Sequence, residues 1–188
     1  MLALVLFFVI GCCGAVLLGR MSDIVDYLLY VDKKTGLPNR EKLNIYIGEM
    51  AGKVLPEAFT CFTLSLDNLS ELTKRFGYTV GDGVLKDFAG LVQLMGDTEG
   101  MRGYNGVGRF VVFFEECSSK KAAAMIRILD NQVEEYNSLN PEYPIRYTAA
   151  WATTEETDTY EIRELLRLSQ KKWKQMEKEK KDKTEEET

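Results

Sequence analysis

The chain opens on an uninterrupted apolar run: Met1 to Gly19 carries no charge and is dominated by Leu, Val, Phe and Ile. At a rise of 1.5 Å per residue, about 20 such residues cross a hydrocarbon core, so residues 1–19 are expected to form one transmembrane helix. Arg20, Lys33, Lys34 and Arg40 follow, and the positive-inside rule then places this flank in the cytoplasm. Apolar residues at helical spacing from Ser22 to Tyr30 predict a linker helix within 20–31. Gly36 and Pro38 force a turn. Helical patterns follow at Asn39–Gly52, Asn68–Phe76 and Val80–Met95, then from Ser118 through Ala122, Met125, Ile126, Leu129 and Val133, and last from Glu161 to Lys178. Phe59–Leu66 and Ile145–Trp151 have strand character. Asn105-Gly106 separates the extended runs Met101–Tyr104 and Arg109–Glu115 and predicts a hairpin, because both turn residues tolerate positive φ. This interleaving implies an antiparallel-rich sheet with helices on its faces, an α/β (α+β) fold.

Composition narrows the function classes. The 188 residues carry a net charge of −5, and an acidic domain without a basic stripe argues against nucleic-acid binding. There is no histidine, so His-based metal sites and His general bases are excluded. The four cysteines, Cys12, Cys13, Cys61 and Cys117, lack framework spacing and suggest reduced, buried thiols. For the N-terminus a cleaved signal peptide is the rival reading, though a basic n-region is missing, and Val9-Ile10-Gly11-Cys12 loosely resembles a lipoprotein cleavage box. Gly11, Ala15 and Gly19 form a small-residue stripe that would let two membrane helices approach closely, or reflects the ordinary composition of such helices. From Lys171 the chain mixes seven Lys with six acids, and residues 177–188 are expected to be a charged tail fraying from the last helix.

Several stretches together resemble one family. Gly106-Val107-Gly108-Arg109-Phe110 aligns on its Phe with the Gly-Gly-Asp/Glu-Glu-Phe loop of the GGDEF, or diguanylate cyclase, family. Asp32-Lys33-Lys34-Thr35-Gly36-Leu37-Pro38-Asn39-Arg40 resembles that family's entry motif, Asp-x-x-Thr-Gly-Leu-x-Asn-Arg. Phe76-Gly77-Tyr78-Thr79-Val80-Gly81-Asp82-Gly83-Val84-Leu85 is similar to its Tyr-Gly-His-x-x-Gly-Asp-x-Val-Leu. The resemblance spans residues 32–176 and implies a nucleotidyl-cyclase palm, a ferredoxin-like sandwich.

The same resemblance locates the chemistry. Joining two GTP molecules into cyclic di-GMP uses divalent cations held by carboxylates. The family's metal acids fall here on Ser65, Gly108 and Arg109, so no metal and no other cofactor is expected. Its guanine-reading positions fall on Thr73, with Lys74 beside it, and on Asp82, which could equally start a helix. Its phosphate-gripping position falls on Met176 with Lys180 nearby, and its product-inhibition pair on Asp97 and Gly100. Asp67, the acid left at the strand edge, is expected to cap the helix starting at Asn68. Arg109 either grips phosphate in place of a metal or pairs with Glu115 or Glu116. These acids lie too far along the strand to replace the lost ones. The implied function is a membrane-anchored, catalytically inactive GGDEF-like module in the cell membrane. It would act as a scaffold, as a homodimer or a heterodimer with another GGDEF-type protein, or as a sensor of a guanine nucleotide. The alternative is a divergent active diguanylate cyclase; a third reading is the remnant of a larger receptor.

Overall fold

Strand β1 (Thr60–Leu66) is buried at all seven positions, and that burial makes it the centre of the sheet. In the computed structural model, which describes residues 24–96 and 100–186, it lies between β3 (Arg109–Phe114) and β4 (Tyr147–Thr153). Strand β2 (Gly100–Tyr104) forms the far edge, so the order is β2-β3-β1-β4, antiparallel throughout. The helices are α1 (24–30), α2 (Arg40–Met50), α3 (Leu69–Phe76), α4 (Tyr78–Gln93), α5 (Ser119–Leu139), the short α6 (Thr154–Thr157) and α7 (Ile162–Glu186). The expected antiparallel sheet flanked by helices is the fold observed.

Because side chains alternate along a strand, the sheet has two chemically distinct faces. Phe62, Leu64, Leu66, Phe110, Val112, Phe114 and Ala149 point to one side and pack with Val84, Leu85, Phe88, Met125 and Leu129 of α4 and α5. Cys61, Val111, Phe113 and Ala152 point to the other, against Leu43 of α2 and Ile162 and Leu165 of α7. Gly103 of β2 lies so close to α2 that a Cβ there would sit 2.4 Å from Leu43 Cγ. Cys61 and Cys117 are free, buried thiols.

The entry motif folds as a local turn. Asp32 Oδ1 accepts from the Lys34 and Thr35 amides and from Thr35 Oγ1, while Asn39 caps α2 by accepting from Lys42 N. Asn39 Nδ2 also donates to Leu29 O, which ties α1 to α2.

Four expectations need correcting. The hairpin loop is Asn105–Gly108, between the expected strands, but positive φ falls on Gly106, Val107 and Gly108 (82°, 53° and 70°) and not on Asn105. Helices α3 and α4 are separated by Gly77 alone, at φ 88°, so α4 starts at Tyr78 and Gly81-Asp82 lies inside it. The last strand begins at Tyr147, because Ile145 N is drawn off to Asn137 Oδ1. The charged C-terminal segment is still helical at Glu186. Among the described residues no helix is long and apolar enough to cross a membrane. The transmembrane segment expected at 1–19 lies outside the described residues, as do Cys12, Cys13 and Asp97.

Candidate functional site

The carboxyl end of β1, the hairpin tip, the start of α3 and the middle of α7 enclose a cleft of about 820 Å³. Its walls carry Ser65, Asp67, Thr73, Lys74, Tyr78, Val107, Arg109, Trp173, Lys174 and Glu177, among others. The sheet register brings the first of these together: Ser65 is opposite Arg109 of β3 on one side and Thr148 of β4 on the other.

Ser65 takes part in a continuous polar chain. Trp173, 8% exposed, donates from Nε1 to Ser65 Oγ at 2.9 Å. Ser65 Oγ donates to Asp67 Oδ1 at 2.6 Å, and Thr148 Oγ1 donates to Asp67 Oδ2 at 2.6 Å. Lys180 Nζ completes the chain, donating to Tyr147 O at 2.7 Å and to Thr148 Oγ1 at 2.8 Å, with Asp67 Oδ2 3.6 Å away. Both carboxylate oxygens of Asp67 therefore accept from protein hydroxyls beside a fixed ammonium. Asp67 does not cap α3, as the strand-to-helix pattern suggested. Asn68 is the N-cap residue, but its side chain bonds Pro144 O and Arg146 N instead, and makes no cap hydrogen bond.

These residues do not fit a divalent cation. A Mg²⁺ site needs several oxygen ligands with converging negative charge. Here the strand position is a neutral hydroxyl engaged by an indole, the carboxylate beside it, Asp67, is engaged by two hydroxyls, and the hairpin position is a guanidinium. Among the described residues no three Asp, Glu, Cys or His side chains cluster in a way that could hold a metal ion.

The other predicted residues fall as follows. Arg109 is exposed, with its guanidinium 5.9 Å from the Trp173 ring centroid, a cation–π contact rather than a pairing with Glu115 or Glu116. Thr73 lines the cleft, but its hydroxyl donates to Leu69 O within α3. Asp82 lies outside the cleft walls, paired with Lys34 at 2.8 Å, and that hydrogen bond holds the Lys34 ammonium above its usual pKa. Lys180 is folded onto β4 and Asp67 and does not line the cleft. Gly106, Val107 and Gly108 form the tip, where Val107 is 82% exposed, and Phe110 anchors it from the core. Gly100 opens β2, with Asp97 beyond the described residues.

Sequence reasoning missed Trp173, Thr148, Lys174 and Tyr78 as site residues. The available signal was the alternate small residues of β4 (Thr148, Ala150, Ala152), which leave room for a large side chain from a covering helix.

The family described as diguanylate cyclase, GGDEF domain, matches residues 29–183. No curated protein matches the chain. Among solved structures, a diguanylate cyclase/phosphodiesterase from Caldicellulosiruptor saccharolyticus is similar at TM-score 0.62 and 18% identity, over 81% of this chain and 91% of that one. The FimX GGDEF domain from Pseudomonas aeruginosa is similar at TM-score 0.61 and 18% identity, over 76% and 90%. The Vibrio cholerae LapD S helix-GGDEF-EAL structure, bound to c-di-GMP, is similar at TM-score 0.60 and 12% identity, over 72% of this chain and only 31% of that longer one. At these identities the structural likeness speaks for the fold, and the family match speaks for descent. The chain belongs to the GGDEF domain family.

Proposed function

We propose that this protein is a membrane-anchored GGDEF module that makes no cyclic di-GMP and works by binding. It pairs with itself or another GGDEF-type protein, or senses a guanine nucleotide through the cleft. One observation carries the reading: the polar chain Trp173–Ser65–Asp67–Thr148–Lys180 engages Asp67, the acid at the end of β1, internally. The apolar, uncharged residues 1–19 support the anchor. The exposed Ile24, Tyr27, Leu28 and Leu29 of α1 support a protein partner next to it. The LapD S helix-GGDEF-EAL protein, similar in fold over part of its length, is bound to c-di-GMP, which supports a signalling role for the module. The test is incubation of the purified full chain with GTP and Mg²⁺ and chromatographic analysis of the products. No cyclic di-GMP is expected; its accumulation above a no-protein control sinks the reading and revives a divergent cyclase.

A further inference from the structure

The mismatch between this cleft and a metal leaves a definite electrostatic character behind. Arg109, Lys74 and Lys174 line it, all three exposed, and among the described residues none of them is in an ion pair. Of the two acids on the walls, Asp67 accepts from Ser65 and Thr148 and lies 3.6 Å from Lys180 Nζ. Glu177 is the other. Tyr78 stands on the rim, 78% exposed, an aromatic face with the area to stack on a flat ring. At about 820 Å³ the cleft has the size of a small-molecule site.

We infer that the cleft binds a nucleoside triphosphate as the free polyanion, through Arg109, Lys74 and Lys174, and that Mg²⁺ weakens this binding instead of enabling it. The inference rests on the reading that the module binds rather than catalyses. The physical argument is one of competition. Mg²⁺ chelated by the phosphates neutralises charge that would otherwise attract the guanidinium and the two ammoniums. A site with converging carboxylates regains that loss by coordinating the cation. Here the walls carry only Asp67, already engaged by two hydroxyls, and Glu177, and no carboxylate cluster among the described residues could hold the cation, so the metal complex is the poorer ligand. The guanidinium can grip two phosphate oxygens at once, while the lysines act as point charges. The Trp173 ring holds Arg109 at the mouth without neutralising it.

The experiment is calorimetric titration of the purified full chain with GTP, and separately with inorganic triphosphate, in EDTA and in excess Mg²⁺ at matched ionic strength. Binding of GTP in EDTA is expected, weakened several-fold by Mg²⁺, and inorganic triphosphate shows the same inversion. The K74A/K174A double variant lowers GTP affinity about tenfold, since two exposed charge-assisted contacts are lost. K86A, which removes an exposed lysine outside the cleft, leaves affinity unchanged. An unaltered melting temperature shows that the double variant is folded. Binding that requires Mg²⁺, equal binding in both buffers, no binding at all, or a K74A/K174A variant with native affinity each overturns the inference. None of these touches the proposal of catalytic silence, which fails only if cyclic di-GMP is produced.

Discussion

The two faces of the sheet are built from the same strands, β1, β3 and β4, and solve packing differently. On the α4/α5 side, large apolar side chains interlock: Phe110 meets Phe88 edge-on at 5.3 Å, and Phe62 meets Phe114 edge-on at 6.0 Å. On the α7 side the strands present Cys61, Thr63, Ser65, Thr148, Ala150 and Ala152, and polar atoms bond across the seam. Thr63 Oγ1 and Ser169 Oγ are 2.7 Å apart, and Trp173 Nε1 donates to Ser65. The first face is held by area removed from water; on the second, Val111 and Phe113 also pack apolar, but beside them small residues admit α7 closely and hydrogen bonds orient it. The cleft lies at the end of the second face. A polar, close-fitting layer positions functional groups; a greasy one supplies the rigidity behind them.

The contrast can be broken from the apolar side first. Phe110→Ala removes a fully buried ring, and chemical denaturation is expected to show a loss of about 3–5 kcal/mol. On the polar side, Trp173→Phe keeps most of the ring but leaves Ser65 Oγ without its donor, so about 1–2 kcal/mol is expected to be lost. Combining it with Ser65→Ala gives less than the sum of the single losses, because both remove one contact; strict additivity in a double-mutant cycle would show the bond to be inert.

The smallest effect is on pH dependence. Burial pushes the Cys61 thiol from 9.0 up to about 12, and burial with the hydrogen bond to Asp87 pushes Tyr136 from 10.0 up to about 12. Both groups are neutral when protonated and hold their protons more tightly in the native state. Their contribution is therefore complete below pH 9.0 and declines as pH rises from there toward 12. Denaturation midpoints should be flat with respect to these groups at neutral pH and fall only on the alkaline side. A thiol reagent at pH 8 should label Cys61 only on unfolding; rapid labelling of the native protein would contradict its burial.

The elements were largely legible because their apolar periods are strong. The pattern identified β1, the hairpin strands and the Ser118 start of α5, where Ser118 Oγ does accept from Lys121 N. Boundaries failed where a single contact decides them. Gly77 alone separates α3 from α4, although Gly77-Tyr78-Thr79 reads as a longer break. The end of α7 failed because alternating charges look the same in a helix and in a solvated tail. The hairpin position of Arg109 was legible, but its partner was not. Asp67 shows why the site resists reading from sequence. Its neighbours along the chain suggest a helix cap, while the groups that engage it, Thr148 and Lys180, lie 81 and 113 positions away and arrive only through sheet register and helix packing.

The indole of Trp173 also bears on how this chain could change over time. An aspartate introduced at position 65 would place a second carboxylate beside Asp67, where a serine hydroxyl now donates, and would have to share space with a ring seated on that hydroxyl. One substitution therefore adds a carboxylate only at the expense of a packed contact. An acidic side chain at position 65 has to displace the indole of Trp173 from the group it now bonds. On the proposed reading, the position works as a ratchet: once α7 seats on the serine, selection for stability alone opposes the way back.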